Sequence, residues 1–363
     1  MIKKKLIIFM PSIEGGGVEK NLFLVTNYLS KKITSVSLIT ASYKFKNRFN
    51  KKINVITPKY KFWNNATRKL KFLISLYLLL KIIIANKEIT VFAFQANLYC
   101  ILLCKILRTK VIIRSNSAPD GWSKNYLKKY LYKIIIKRAD KVMVNSYDFK
   151  NRMIRNFSVK PTVIYNPLNK SEIINKSKII TKKIFPKKKC LKIINVARYV
   201  DQKDQITLLK SLNLLKNKIN FFAVIMGHGI LEGELKHFIH QNKMQDKVKL
   251  IDFKNNPFPY IKQADLFILT SKYEGLPNVL LESIVLKKFI ISSDCPTGPS
   301  EILLKGKGGF LFPIGDYKQL TRKIIFFSKN RKMCNKLIIN AYNKLNRFND
   351  RNNFQKYLDL INS

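Results

Sequence analysis

Short apolar runs alternate with stretches of helical periodicity along the first half of the chain. Leu6–Met10 is an apolar run, and Val18–Leu29 follows it with apolar residues three and four positions apart. The first pattern is typical of a buried strand and the second of an amphipathic helix. The alternation continues with a predicted helix at 72–84 and predicted strands at 35–40, 53–56, 90–94, 111–114 and 141–146.

A second alternating region begins after a polar break at residues 167–189. The break is rich in Lys, Asn and Ser and contains Pro186, which predicts a linker. Beyond it, strands are predicted at 191–198, 221–227, 247–253, 265–271 and 289–294. Helical periodicity separates them at 205–215, 230–242, 258–263 and 277–285.

Strands that alternate with helices predict parallel sheets covered on both faces. A single core rarely exceeds about 250–300 residues, and this chain has 363. We therefore expect an α/β fold with two Rossmann-like doubly wound domains, at residues 1–166 and 190–339, that face a central cleft. The last segment, residues 340–363, is predicted to be helical and to cross back onto the first domain.

Composition adds a strongly basic character, with a net charge of +48. Such an excess is typical of nucleic-acid-binding proteins. However, only 12 of the 69 basic residues are Arg, and the lysines are spread through the chain among abundant Ile and Asn. A compositional bias therefore explains the charge as well as a polyanion-binding surface does. Either would attract the protein to anionic lipid headgroups.

The cysteines and the hydrophobic segments bear on cellular location. The five cysteines are irregularly spaced without a CxxC pair, which favours a reducing compartment over disulfides or a metal site. The first apolar run has five residues, too few for the core of a signal peptide. Residues 72–84 are too few to span a bilayer, which takes about 20 residues. They predict either a buried or partly buried helix or one that lies in the membrane interface.

Two loops at predicted strand ends carry candidates for binding an anion. Gly16 and Gly17 follow the first strand and open a helix, where glycines let the backbone approach a ligand. Their spacing matches neither a P-loop nor GxGxxG, so a tight structural turn is the alternative. Arg198 and Lys203, in VARYVDQKD, lie in one loop and could offset the charge of a diphosphate. A solvated surface role is the alternative for this pair.

The stretch SKYEGLPNVLLESI, residues 271–284, holds two of the few carboxylates in the chain. Glu274 lies in the turn before a predicted helix, and Glu282 lies within that helix among apolar neighbours. Carboxylates accept hydrogen bonds from sugar hydroxyls, and the amides at a helix start favour an anion. The pair therefore predicts a sugar-nucleotide site, with a helix cap and a helix-surface acid as the alternative.

The glycine loop, VARYVDQKD, MGHGI, the EGLPNVLLE block and DCPTGPSEIL resemble, in this order, the retaining glycosyltransferases of family 4, which have the GT-B fold. The resemblance is strong over residues 191–313 and looser over 1–166. It implies that Glu274 contacts the donor sugar, that Glu282 holds the ribose, and that Arg198 and Lys203 bind the diphosphate. It also implies that the remaining donor contacts come from Gly16, Gly17, Gly227, Phe253, Gly275, Leu276, Pro277 and Asn278.

One departure from the family concerns the first domain. Many members have a histidine at the catalytic cleft, but this chain has none before His228. The segment RSNSAPDGW, residues 114–122, occupies the expected place, so that Arg114 and Asn116 become the acceptor-side candidates. Asn can hydrogen-bond a hydroxyl but cannot act as a base.

The resemblance implies transfer of a sugar, such as an N-acetylhexosamine, from a UDP-sugar or another nucleotide sugar to a glycan or polyprenyl-linked glycan. No cofactor or metal is expected, because the chain has no Asp-x-Asp and lysine takes the place of the cation. We expect a cytoplasmic, peripheral protein on the inner face of an anionic membrane, with no nucleic-acid partner. A GT-B sugar-nucleotide epimerase, a basic nucleic-acid-binding protein and a noncatalytic scaffold are the alternatives.

Overall fold

The structure is a computed structural model that describes residues 2–14, 16–86, 88–95, 97–116, 125–187 and 189–363. Its strands, in chain order, are β1 (Ile2–Phe9), β2 (Ile33–Ile39), β3 (Ile53–Ile56), β4 (Ile89–Ala93), β5 (Lys110–Arg114), β6 (Lys141–Val144), β7 (Thr162–Val163), β8 (Leu191–Val196), β9 (Phe221–Gly227), β10 (Val248–Asp252), β11 (Leu266–Leu269), β12 (Phe289–Ser293) and β13 (Phe310–Phe312). Its helices are α1 (Gly17–Leu29), α2 (Arg68–Ala85), α3 (Asn97–Ile106), α4 (Tyr126–Lys137), α5 (Tyr147–Phe157), α6 (Lys170–Ser177), α7 (Gln205–Leu215), α8 (Glu232–Gln241), α9 (Phe258–Gln263), α10 (Asn278–Val285), α11 (Pro299–Ile302), α12 (Tyr317–Lys329), α13 (Arg331–Asn343) and α14 (Asp350–Asn362).

The chain divides into two compact units, Met1–Pro167 with Asp350–Ser363, and Leu168–Asn349. In the described residues of the first unit, parallel strands form one sheet in the order β3-β2-β1-β4-β5-β6-β7. In the second unit the order is β10-β9-β8-β11-β12-β13, again with all pairs parallel. In both sheets the strand order reverses beside the first strand of the unit, as in doubly wound nucleotide-binding folds.

Successive residues of β1 show how the first unit builds a core on each face of its sheet. Leu6 and Ile8 belong to one buried cluster, whereas Ile7 and Phe9 belong to the other. Because side chains alternate across a strand, an unbroken apolar run supplies both faces. The cluster around Leu6 is completed by the C-terminal helix α14 through Tyr357, Leu358, Leu360 and Ile361.

The segment predicted as a linker, residues 167–189, contains the helix α6. The side chain of Asn169 caps α6 by accepting a hydrogen bond from the Glu172 N–H at 2.9 Å. Ile173 and Ser177, four positions apart, are buried, and α6 packs against α9 and α10. The only apolar residues of α6 are the adjacent Ile173 and Ile174, of which Ile173 alone is buried. Two neighbouring residues give no helical periodicity, which explains why the sequence suggested a linker.

The return of the chain to the first unit begins at residue 350 rather than 340. The helix α13 runs to Asn343 and a 3-10 turn follows at Lys344–Phe348, both in the second unit.

The hydrophobic segment at 72–84 lies within α2, which buries one narrow stripe. None of the described helices is both long and apolar enough to cross a membrane.

Candidate active site

Two loops of the second unit are joined at the carboxyl ends of β8 and β11, neighbouring strands where the strand order reverses. The Lys272 N–H donates to the Gln202 carbonyl at 2.8 Å, and Gln202 Nε2 donates to the Tyr273 carbonyl at 2.8 Å. The Thr270 hydroxyl donates to the Lys203 carbonyl at 2.9 Å. These bonds fix the loop that carries Arg198 and Lys203 against the loop that carries Glu274.

Lys203 and Glu274 form an ion pair between these two loops, with 2.5 Å between Lys203 Nζ and Glu274 Oε1. Their side chains are only 16% and 8% exposed. The Ser271 hydroxyl donates to the same Oε1 at 2.6 Å. Both bonds therefore fall on one carboxylate oxygen, and Glu274 Oε2 accepts no hydrogen bond from the described residues.

Arg198 lies at the start of the same loop but differs from Lys203 in exposure. Its side chain is exposed, and no described residue forms an ion pair or hydrogen bond with its guanidinium. Its carbonyl accepts a hydrogen bond from Gln205 Nε2 at 2.9 Å, and Gln205 is buried at the start of α7. The backbone at Arg198 is thus fixed while the cationic group remains accessible.

The turn from Gly275 to Pro277 leads from Glu274 into α10, which begins at Asn278. Glu282 is buried in the second turn of α10, as its apolar neighbours predicted. The next loop holds this turn, because the Thr297 hydroxyl donates to the Gly275 carbonyl at 2.9 Å. Gly298 has φ +93°, and a Cβ there would lie 2.4 Å from the Gly275 carbonyl oxygen.

Gly227 has a packing reason for being glycine, in addition to the donor contact that the family resemblance implies. A Cβ at this position would lie 1.9 Å from the Ala197 carbonyl oxygen and 2.8 Å from the Tyr199 ring. Tyr199 is buried, and its hydroxyl donates to the Ile225 carbonyl at 2.8 Å. Burial raises the pKa of Tyr199 well above its ordinary value, so it remains a neutral donor.

Phe253, another of the predicted donor contacts, is 43% exposed, and its ring packs edge-to-face against the His228 ring.

Cys295 is buried and close enough to the ion pair to interact electrostatically with Glu274 and Lys203. Burial, together with the negative charge of Glu274, raises the pKa of its thiol to about 12. Cys295 is therefore a neutral packing residue at physiological pH rather than a nucleophile.

In the first unit, the predicted glycine loop is closed by a carboxylate of its own helix. Glu19 Oε2 accepts a hydrogen bond from the Gly16 N–H at 2.9 Å, and Glu19 Oε1 accepts one from the Glu14 N–H at 3.4 Å. Gly16 is the N-cap residue of α1, and Gly17 is its first residue. Gly15 lies outside the described residues. The sequence showed Glu19 but not that its carboxylate satisfies the Gly16 amide.

The two acceptor-side candidates contact other segments of the first unit. Arg114 is buried, its Nη2 donates to Asn166 Oδ1 at 2.8 Å, and its guanidinium stacks over the Phe94 ring. Burial lowers its pKa. Asn116 Nδ2 donates to the Phe94 carbonyl at 2.6 Å. Arg114 thus presents almost no exposed surface to an acceptor, because Asn166 and Phe94 cover its guanidinium. The sequence could not show that the end of β5 is covered. Residues 117–122 of the same segment lie outside the described residues.

Two residues of the site were not singled out from the sequence. Ser271 orients Glu274, and Gly298 makes room for the turn before α10. Both lie inside the quoted motifs. Gly298 acts on another segment, at Gly275, whereas Ser271 contacts Glu274 three positions along its own loop, a contact that the motif does not reveal. Among the described residues, no three His, Cys, Asp or Glu side chains are grouped so as to hold a metal ion.

Comparison with known proteins bears on both units. The family model described as Glycosyltransferase Family 4 matches residues 15–172, and the one described as Glycosyl transferases group 1 matches residues 176–344. An uncharacterized glycosyltransferase of Methanocaldococcus jannaschii is 30% identical over 56% of this chain and 53% of its own length.

A Campylobacter jejuni relative is named as an N-acetylgalactosamine-N,N'-diacetylbacillosaminyl-diphospho-undecaprenol 4-alpha-N-acetylgalactosaminyltransferase. It is 28% identical over 57% of this chain and 57% of its own length. The chain thus spans little more than half the length of these two curated relatives. The crystal structure of Anabaena HepE in complex with UDP has a TM-score of 0.76 and 17% identity over 99% of both chains, which supports the fold.

The family models match one unit each, and the sheet orders of both units are those of doubly wound domains. The predicted resemblance and the predicted fold class are therefore confirmed. This chain belongs to the glycosyltransferases of GT-B fold, as a member of the family 4 and group 1 families that the two models describe.

Proposed function

We propose that this protein transfers a sugar from a nucleoside diphosphate sugar, specifically a UDP-sugar, to a hydroxyl group of a glycan, with retention at the anomeric carbon. The proposal rests on one observation above all. Lys203 and Ser271 both bind Glu274 Oε1, which leaves Oε2 to accept a hydrogen bond from a sugar hydroxyl. Membership in the glycosyltransferase families and the UDP complex of a structural neighbour support the donor class.

The cations of the same loop fit the diphosphate of such a donor. Arg198 has an exposed guanidinium, which can bind two phosphate oxygens at once. The Lys203 ammonium group has three N–H donors, so it can bind a neighbouring phosphate oxygen while it keeps its contact with Glu274. Together they would stabilise the negative charge that develops on the departing diphosphate, which is where electrostatic catalysis contributes most.

In the proposed reaction, the bond between the anomeric carbon and the diphosphate oxygen breaks through an oxocarbenium-like transition state. The acceptor oxygen bonds to the anomeric carbon from the same face, and its proton passes to the departing phosphate oxygen. The protein contributes orientation and charge stabilisation rather than a covalent intermediate. Glu274, paired with Lys203, acts here as a hydrogen-bond acceptor for the sugar.

The acceptor we propose is a glycan or a polyprenyl-linked glycan, with an N-acetylhexosamine as the sugar transferred. The name of the Campylobacter jejuni relative, which includes a diphospho-undecaprenol carrier and an N-acetylgalactosaminyl group, supports this choice. We further propose that the enzyme works as a peripheral protein at the inner face of the cytoplasmic membrane.

A panel of nucleotide sugars tests the proposal by measuring release of the nucleoside diphosphate, with and without short glycan acceptors. One donor should be consumed far faster than the others. Lys203→Met should lower that turnover by about 10²–10³-fold, because it removes a charge that stabilises the leaving group.

Lys272→Met is the matched control. Lys272 pairs with Asp201 across the same two loops, but both side chains are far more exposed. Its loss should change turnover by no more than about twofold, since exposed ion pairs contribute little. Equal effects of the two variants would contradict the assignment. Conversion of the donor alone into an isomeric nucleotide sugar would identify an epimerase instead.

A further inference from the structure

The helix α2 carries apolar residues on two opposite sides. Its buried stripe consists of Lys71, Ser75, Leu79 and Ile83, four positions apart, and packs toward the sheet of the first unit. Leu73 and Ile84 on the other side are 64% and 66% exposed, and Tyr77 between them is also exposed. The buried stripe and the partly buried Leu76, Leu78 and Ile82 attach the helix to the core, so the outer stripe is directed away from it.

The next two helices repeat this arrangement. On α3 the exposed apolar residues are Tyr99, Leu102 and Ile106, spaced three and four positions apart. On α4 they are Leu127, Tyr130, Leu131 and Ile134, again at the spacing of one helix face. Scattered exposed apolar residues are normal on proteins, but stripes on consecutive helices form a patch.

The three helices lie side by side, since α2 packs against α3 and α3 packs against α4. Their inner residues all contribute to the same buried cluster on one side of the sheet. The outer stripes of α2, α3 and α4 therefore form one surface, which we call the α2–α4 face. The exposed aromatic rings of Tyr60 and Phe62, which stack on each other, lie just before α2.

Charge on these helices is of one sign. The sequences of α2, α3 and α4 contain nine Lys or Arg and no Asp or Glu. Lys81 Nζ lies 4.7 Å from the centre of the Tyr77 ring, so a cation and an apolar ring share the outer stripe of α2. Apolar rings and long aliphatic chains that end in ammonium groups are typical of surfaces that enter a headgroup layer.

A second copy of this chain is a poor occupant for the α2–α4 face, because a twofold contact would bring lysines of both copies together. An anionic lipid bilayer matches both features at once, since acyl chains accept the apolar side chains and headgroups pair with the lysines.

We propose that the α2–α4 face docks this protein on an anionic lipid bilayer. The proposal names the membrane-contacting part of the molecule and rests on the proposed lipid-carried acceptor for its purpose. Binding to lipid is nevertheless measured without donor or acceptor, so either proposal can fail without the other.

Co-sedimentation of the full chain with vesicles tests it. Vesicles of phosphatidylcholine with phosphatidylglycerol should bind the protein, whereas phosphatidylcholine alone should bind it weakly. The triple variant Leu73→Gln, Ile106→Gln, Leu127→Gln should need at least about tenfold more anionic lipid for half-binding, because three apolar side chains no longer enter the bilayer. Release of the nucleoside diphosphate from a soluble donor should be unchanged in this variant.

A matched triple variant replaces exposed apolar residues of the second unit, Ile180→Gln, Leu214→Gln and Ile339→Gln. It should bind vesicles as the unmodified protein does, and circular dichroism should show both variants folded. Equal loss of binding in the two variants would overturn the proposal, as would equal binding to neutral and anionic vesicles. A dimer in solution that the first variant converts to monomer would also overturn it, by assigning the face to a second copy.

Discussion

At the scale of single residues, the Lys203–Glu274 pair is set apart by its burial. The neighbouring Lys272–Asp201 pair joins the same loops, but its side chains are 41% and 80% exposed. Removing two charges from water costs free energy that their attraction repays only partly. A buried pair with one unused carboxylate oxygen is therefore better explained by ligand binding than by stability.

Gly298→Ala tests the turn that positions Glu274 and α10. Gly298 and Gly306 have nearly the same φ, +93° and +92°, but only Gly298 would place a Cβ against another segment. Gly306→Ala should lower the free energy of unfolding by about 1 kcal/mol, through backbone strain alone. Gly298→Ala should cost about 1–3 kcal/mol more, through steric overlap with Gly275. Urea denaturation measures both.

Donor turnover separates the two glycine variants further. Gly298→Ala should reduce it, because the overlap displaces the turn between Glu274 and Asn278, whereas Gly306→Ala should leave it unchanged. The same loss of turnover in both variants would mean that Gly298 has no special link to the site.

Sequence alone identified the charged groups of the site but not what orients them. Glu274 stood out because carboxylates are rare in this chain, and Lys203 stood out because it shares a loop motif with Arg198. Their direct pairing could not be predicted, because it depends on two loops 71 positions apart. Burial of Arg114 was missed for the same reason, since Asn166 and Phe94 reach it from distant segments.

At the scale of elements, hydrophobic pattern predicted those strands and helices that bury a wide apolar face. The predicted bounds of β3, α7, β9 and α9 coincide with the observed ones. The helix α6 was missed because its attachment depends on one buried isoleucine and a capping asparagine. A helix of that kind is stabilised mainly by packing, which leaves little trace in the sequence.

Asp140 forms hydrogen bonds with both α3 and β5, and we predict that the stability these bonds contribute depends on pH. Its carboxylate accepts hydrogen bonds from Lys105 Nζ and from the Val111 N–H, both at 2.7 Å. Burial alone would raise the pKa of Asp140, but these two bonds outweigh it and lower the pKa. The stabilisation is therefore present above the unfolded pKa of about 3.9 and is lost as pH falls through the folded value.

Asp140→Asn should consequently lower the free energy of unfolding by about 1 kcal/mol near pH 7. The difference from the unmodified protein should shrink as the pH falls through the lowered folded pKa of Asp140, because the unmodified protein then also has a neutral side chain at this position. Thermal melting at a series of pH values measures it. A difference that stays constant with pH would show that the charge of Asp140 contributes nothing.

At the scale of the whole molecule, the two units share one architecture, and each has its own reversal of strand order. The predicted α/β class followed from the alternation of strands and helices. Strand order could not be predicted in the same way, because adjacent strands come from distant parts of the chain. The family resemblance supplied that information through its motifs.

Thiol reactivity tests the packing of both units together. Of the five cysteines, Cys100, Cys104, Cys295 and Cys334 are buried, and only Cys190 is partly exposed. Burial raises the pKa values of the Cys100, Cys295 and Cys334 thiols, and the Cys104 side chain has no exposed surface. A disulfide exchange reagent at about pH 8 should modify one thiol in the folded protein and five after denaturation. Reaction of several thiols in the folded Cys190→Ser variant would contradict this packing.

The most direct test of the proposed donor site is equilibrium binding of UDP, measured by titration calorimetry on Lys203→Met and Glu274→Gln. UDP has the diphosphate but no donor sugar, so Lys203→Met should weaken binding by about tenfold or more. Glu274→Gln should bind UDP at least as tightly as the unmodified protein, because Lys203 then has no carboxylate to neutralise it, while turnover of the UDP-sugar falls. Equal weakening of UDP binding by both variants would contradict the division of roles on which the proposed function depends.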